Sequence, residues 1–338
     1  MLEKTMKQII KKKINQWIET IDDDKVKYAI EKDLIITGGC FTSMIQNETP
    51  NDFDCYFRTK ESILVVAEYY AKKWNEAHEG QENKIGYKTK IFVLDGANPS
   101  KEILSYFGVT DIKDSQAVML SNCPPERIKM IFPSDGITGD PAEVNANEEL
   151  GMGSSKIISE TIIEELDETK ADDIIKKEKK KYFPVFISSN AITLSNGIQI
   201  VVRFYGEPDK IHETYDFEHT KAYYDNYNNT LDIPKIVYEH VINKTLRYSG
   251  SLYPVCSIFR VRKFIERGWT INAGQLLKMC FQISQLDLTD INTLEDQLIG
   301  VDSIYFMNLI EQFRRQQQED PNFQITSGYV MSIVDKIF

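Results

Sequence analysis

The sequence predicts an α+β protein: a mixed sheet with flanking helices, interrupted by a large insertion and followed by a helical C-terminal domain. Three observations carry this. Ile35-Ile36-Thr37-Gly38-Gly39 is a short apolar strand running into a Gly-Gly turn, and Asn51-Asp52-Phe53-Asp54-Cys55-Tyr56-Phe57 follows as an alternating strand, with the two-residue period of a sheet. Two apolar runs, 191–194 and 198–204, flank Ser195-Asn196-Gly197, and Asn-Gly between such runs is a strong hairpin signal. From residue 235 onward, apolar residues recur mostly at helical spacing.

Taken in order, residues 2–32 read as two helices, the first with Ile9, Ile10, Ile14, Trp17 and Ile18 as its apolar residues and the second over 25–32. The strand 34–37 leads through the glycines into a helix from about Phe41. After the Asp-bearing strand, 62–78 is a helix whose stripe is Ile63, Val66, Ala67, Tyr70 and Trp74, and 90–94 is a short strand. The stretch 97–181 changes character: Pro124-Pro125, glycine-rich pieces and few long periodic runs mark a loop-rich insertion, with a helix expected over 157–166 and a basic run at 176–181. Strands return at 184–188 and in the hairpin. Helices are expected over 235–246, over 254–267 between Pro254 and Gly268, over 273–283, over 303–317 and near the end, 324–338. The resulting division is 1–96, 97–181, 182–232 and 233–338.

Asp52 and Asp54 share one strand face, opposite Phe53, Cys55 and Phe57. Two carboxylates this close repel each other, and a divalent cation such as Mg²⁺ removes that cost. Glycines let the backbone approach a ligand closely, and the helix N-terminus after them favours phosphate. The pieces describe a place for a nucleoside triphosphate and its metal.

The net charge is −11, which argues against a broad surface for the phosphate backbone of nucleic acids and leaves room for a local basic groove. Such a groove is suggested by Arg260, Lys263 and Arg267, which recur on one face of the 254–267 helix. Either they neutralise a triphosphate or contact an acceptor strand, or they pair with acids of the neighbouring domain. Five scattered cysteines show no metal-binding spacing and read as reduced packing residues. No stretch reaches the length of a membrane span, and the basic N-terminus lacks the apolar block of a signal peptide. A cytoplasmic location is expected.

Gly38-Gly39-x-x-x-Ser43 followed by Asp52-x-Asp54 on a strand resembles the nucleotidyltransferase superfamily, of DNA polymerase β-like fold, which includes the head domains of poly(A) polymerases and CCA-adding enzymes. The whole chain is similar to nucleotidyltransferase-like proteins of bacterial viruses. The resemblance implies that Gly38, Gly39 and Ser43 hold the triphosphate and that Asp52 and Asp54 hold two Mg²⁺ ions. It also implies a third acid on a neighbouring strand; Tyr215-Asp216-Phe217 resembles its setting, making Asp216 the candidate and Glu218 the fallback. Arg260 and Lys263 resemble the basic helix that faces the nucleotide in CCA-adding enzymes. The function so implied is metal-dependent transfer of a nucleoside monophosphate from an NTP to an acceptor hydroxyl, such as an RNA 3′ end resembling tRNA. The alternative is a catalytically silent binding or assembly module of a bacteriophage built on the same fold.

Overall fold

The structure is a computed structural model that describes residues 1–79, 91–96, 100–101, 128–131, 137–139, 181–188, 190–298, 313–320, 323–326 and 328–331. The chain forms two compact units. The first is Met1–Ile211 with Thr220–Pro234, and the second is His212–His219 with Lys235–Phe338.

The first unit opens with α1 (Glu3–Glu19) and α2 (Asp24–Asp33). Asp23 starts α2 by accepting the Lys25 and Val26 amides at 2.8 and 3.3 Å, which satisfies donors that no helical carbonyl reaches. Strand β1 (Leu34–Thr37) runs into α3 (Gly39–Ile45); β2 (Phe53–Phe57) follows, then α4 (Lys60–Ala77). Ile10, Ile14 and Trp17 of α1 and the apolar stripe of α4 are buried, with Ile9 and Ile18 half-buried beside them, and Trp17 Nε1 donates to the Tyr70 hydroxyl at 2.6 Å. This bond ties the two helices and gives a buried indole N–H its partner.

Strands β3 (Phe92–Asp95) and β4 (Ile128–Ile131) form an antiparallel pair of their own. Next come β5 (Ile137–Gly139), β6 (Pro184–Ser188), β7 (Ala191–Leu194) and β8 (Ile198–Tyr205), then α5 (Pro208–His212). Strands β9 (Tyr223–Asp225) and β10 (Thr230–Asp232) complete an eight-stranded sheet in the order β10-β9-β1-β2-β8-β7-β6-β5. Strand β2 runs parallel to β8 and antiparallel to β1, so the sheet is mixed, as expected.

The hairpin turn is the one expected: Asn196 and Gly197 both have positive φ, 68° and 71°, the requirement of a type I′ turn. Gly197 has a further role. A Cβ there would lie 2.6 Å from the Asn51 carbonyl, and its own carbonyl accepts the Phe53 amide at 2.9 Å. The turn is thereby seated on the entry to β2.

Strands β4 and β5 lie inside the segment expected to be loop-rich, and β5 is the edge of the main sheet. The β9–β10 hairpin was not anticipated either. Its turn rests on Asp225, which accepts the Asn228 amide and side chain at 3.1 and 2.6 Å, and on Asn229 at φ 52°. Asp225 also pairs with Arg58, fixing the end of β2 to β9. The expected helix over 157–166, and the basic run apart from Lys181, lie outside the described residues.

The second unit contains α6 (Lys235–Asn243), α7 (Pro254–Glu266), α8 (Ala273–Ile283) and α9 (Ile291–Leu298). The helix expected to reach 246 ends earlier: Lys244 adopts φ 50°, and β11 (Thr245–Leu246) pairs in parallel with β12 (Thr270–Ile271). Of the helix expected over 303–317, residues 313–319 are described and helical. Phe313 packs with Ile291, Leu294 and Ile325 in a small apolar core.

Candidate functional site

The first unit brings the first glycine of the pair, Gly38, against one of the two strand acids. Asp54 stands opposite Thr37 in the β1–β2 register. Gly38 follows Thr37 at φ 91°, ψ −155°, a backbone region open only to glycine. A Cβ at Gly38 would overlap Asp54 Oδ2 and lie 3.2 Å from its Cγ. Both conformation and space therefore demand glycine. Gly39 differs, because it begins α3 and a Cβ there would meet nothing within 4 Å. Gly38→Ala is expected to lower the unfolding free energy by about 2–4 kcal/mol through strain and displacement of Asp54, while Gly39→Ala changes it by less than about 1 kcal/mol. Parallel denaturant titrations check the contrast, and equal losses would contradict it.

Asp54 is half-buried and Asp52 exposed, and Ser43 is half-buried on α3. The thiols of Cys40 and Cys55 are fully buried, and burial first, then the charges of Asp54 and Asp52, pushes both well above the usual thiol range. They stay protonated packing groups. Sequence reading missed Lys13, which lay within a run of three lysines that resembles a solvated face. Its ammonium sits 5.5 Å from the Phe53 ring centroid and 5.7 Å from that of Tyr182, within cation–π range. Burial pulls its pKa below the ordinary lysine value.

The expected third acid is arranged differently. The strand anticipated over 215–218 is a turn, an isolated bridge from Phe217 to Tyr248 and a 3-10 turn, Glu218–Thr220. Asp216 belongs to the second unit, where its Oδ2 accepts Arg260 Nη1 at 2.7 Å and Ser257 Oγ at 2.9 Å. Two residues assigned by sequence to one nucleotide site thus neutralise each other, and the acid that Arg260 meets belongs to its own unit instead of a neighbouring domain. Lys263 is exposed on α7. Among the described residues, no three His, Cys, Asp or Glu side chains converge in a way that could hold a metal ion.

His219 is fully buried among Phe264, Trp269 and Phe217, with ring centroids 4.5, 4.5 and 5.8 Å away. Burial, with help from the positive charges of His240 and Arg267, lowers its pKa to about 3. It is a neutral packing group near pH 7.

Comparison with known proteins gives a different family from the one the motifs suggested. The profile described as "Gabija anti-defense 2 family protein" matches residues 8–244. A protein named "Gabija anti-defense 2", from Bacillus phage SPbetaL7, is 22% identical over 123 residues, which is 36% of this chain and 30% of that protein. The chain thus aligns with about a third of the relative's length. No solved structure matches. No nucleotidyltransferase family is found, and the resemblance to that superfamily, with the transfer reaction it implied, is corrected accordingly. Within the first unit Gly38 lies against Asp54, and within the second Asp216 pairs with Arg260.

Proposed function

This chain belongs to the Gabija anti-defense 2 family, and on that footing we propose that it counters the Gabija defence of a bacterial host by binding one of that system's proteins. The family match carries the reading: residues 8–244 include nearly all of the first unit. The phage origin of the relative supports action in the cytoplasm of an infected cell. Among the described residues, no helix is long and apolar enough to cross a membrane. Binding is favoured over group transfer because Asp216 is already occupied by an arginine and a serine.

The test is co-purification. Tagged chain, expressed with each Gabija protein separately, is expected to retain one of them through washing at moderate salt. Asp54→Ala is expected to retain it equally, since that carboxylate lies against the chain's own Gly38. Restored phage growth in Gabija-carrying cells with no Gabija protein retained would refute the proposal.

A further inference from the structure

Helix α1 carries its surface charge differently from the other helices. Between Glu3 and Glu19 it holds five lysines and no acid, a net of +5 in a chain of −11, which leaves −16 on the rest. Lys13 turns to Phe53 and Tyr182. At 100° per residue, Lys4, Lys11 and Lys12 fall within one arc of about 100°, opposite the buried Met6, Ile10, Ile14 and Trp17, and Lys7 borders it. Lys4, Lys11 and Lys12 are exposed, with the neutral Gln8 and Asn15 exposed among them, and Lys7 is half-buried. Among the described residues, none of these four lysines makes an ion pair or a side-chain hydrogen bond.

This pattern works against the helix itself. Lys7 stands three residues from Lys4 and four from Lys11, and like charges at those spacings repel. Lys4 lies in the first turn, where the helix dipole favours an anion. Elsewhere surface cations are paired along their own helix: Lys27 with Asp24 on α2 at 3.8 Å, Lys72 with Glu76 on α4 at 3.7 Å, and Arg262 with Glu266 on α7 at 3.0 Å. A face kept only for solvation gains nothing from a run of one sign. A pattern that breaks local rules without helping the fold marks a functional surface.

The charge makes the partner an anion, and the make-up of the face narrows its kind. Stable attachment to a bilayer needs apolar groups to insert as well as lysines, and Met6, Ile10, Ile14 and Trp17 are buried in the core. A nucleic acid is a long polyanion that the −16 on the rest of the chain repels, and the face has no aromatic ring on which a base could stack. An acidic patch on a folded protein suits a face only about 12 Å long. Lysine is depleted at the centres of protein interfaces; at their rims, charge speeds and steers the encounter.

We infer that the lysine face of α1 steers this chain onto an acidic patch of a Gabija protein. This rests on the function proposed above and adds the sign of the surface that the partner presents.

The experiment measures association and dissociation rates of the full-length chain with each purified Gabija protein by surface plasmon resonance, at about 50 and about 300 mM salt. It uses the parent, Lys4→Glu/Lys11→Glu/Lys12→Glu, and a control, Lys25→Glu/Lys72→Glu/Lys235→Glu, which changes the net charge equally at exposed lysines elsewhere. The α1 variant is expected to associate at least about tenfold more slowly at low salt, with dissociation within about twofold of the parent, and the gap closes at high salt. The control is expected to slow association by less than about threefold. The melting temperature of the α1 variant is expected to equal or exceed the parent's, because like-charge repulsion is relieved. Should either triple fail to fold, Lys11→Glu against Lys25→Glu takes its place, with a slowing of about threefold expected for the first alone. Parent binding with the α1 variant associating within about twofold overturns the steering face and leaves the proposed function standing. Equal slowing by the control assigns the effect to net charge and likewise overturns the face. A parent that binds no Gabija protein overturns the function itself. Lysine-dependent binding to duplex DNA or to phosphatidylserine vesicles, without any protein partner, overturns the choice of occupant.

Discussion

Asp216→Ala is expected to destabilise the second unit by about 3 kcal/mol, seen as faster hydrogen exchange at the amides of α7 and α8. The carboxylate is almost fully buried and takes bonds from Arg260 and from Ser257, itself fully buried. Its backbone carbonyl accepts the Ser249 amide at 2.8 Å, so the turn and the 248–250 segment are held at the same point. Removing the carboxylate leaves a partly buried guanidinium and a buried hydroxyl without their acceptor, and unpaired buried groups of this kind cost several kcal/mol. The side chain of Arg260 keeps some exposure, which places the loss at the lower end of the range. Asp216→Asn, which retains an acceptor for Ser257 and loses the charge, is expected to fall between. An acid waiting for a cation would behave in the opposite way: its removal would be neutral or stabilising in the absence of metal. The exchange measurement therefore separates a structural ion pair from a metal ligand.

Lowering the pH from 7 to 4.5 is expected to destabilise the second unit through His219. In the unfolded chain the imidazole takes a proton near the ordinary value of about 6.5. In the fold, burial holds its pKa at about 3. Between these values the unfolded state binds more protons, so stability is full above about pH 6.5 and falls as the pH drops toward 3. The slope attributable to this one group approaches about 1.4 kcal/mol per pH unit in that window. Urea midpoints at pH 7, 5.5 and 4.5 measure it. His219→Phe, which suits an enclosure of Phe217, Phe264 and Trp269, is expected to flatten the dependence. An equal slope in that variant would assign the acid sensitivity elsewhere.

What the sequence disclosed was local. A strand entering Gly-Gly, an alternating strand after it and an Asn-Gly hairpin are each written in a few adjacent residues, and all three stand where expected. The need for glycine at position 38 was foreseen as close approach to a ligand. The structure shows close approach to Asp54 of the same chain, and only the β1–β2 register reveals that. Asp216 misled because Tyr-Asp-Phe has the alternation of a strand, whereas the segment 212–219 leaves the first unit and is fixed by tertiary bonds to α7 and to 247–249. No local pattern encodes that excursion. The β9–β10 hairpin carried a legible turn, Asp225 to Asn229, that went unread because its strands are three residues each. Helix α8 was recognised as a helix, but which of its faces is buried depends on the partners of Gln275 and Gln282, and periodicity alone assigns the leucines to the inside.

The stoichiometry of inhibition tests binding as the mode of action most directly. Purified Gabija proteins, assayed for their defence activity, are titrated with this chain. Direct binding predicts that inhibition rises linearly, is complete near one chain per binding site, and reverses when the chain is removed. Complete and lasting inhibition at a hundredth of that ratio would contradict binding and point to turnover.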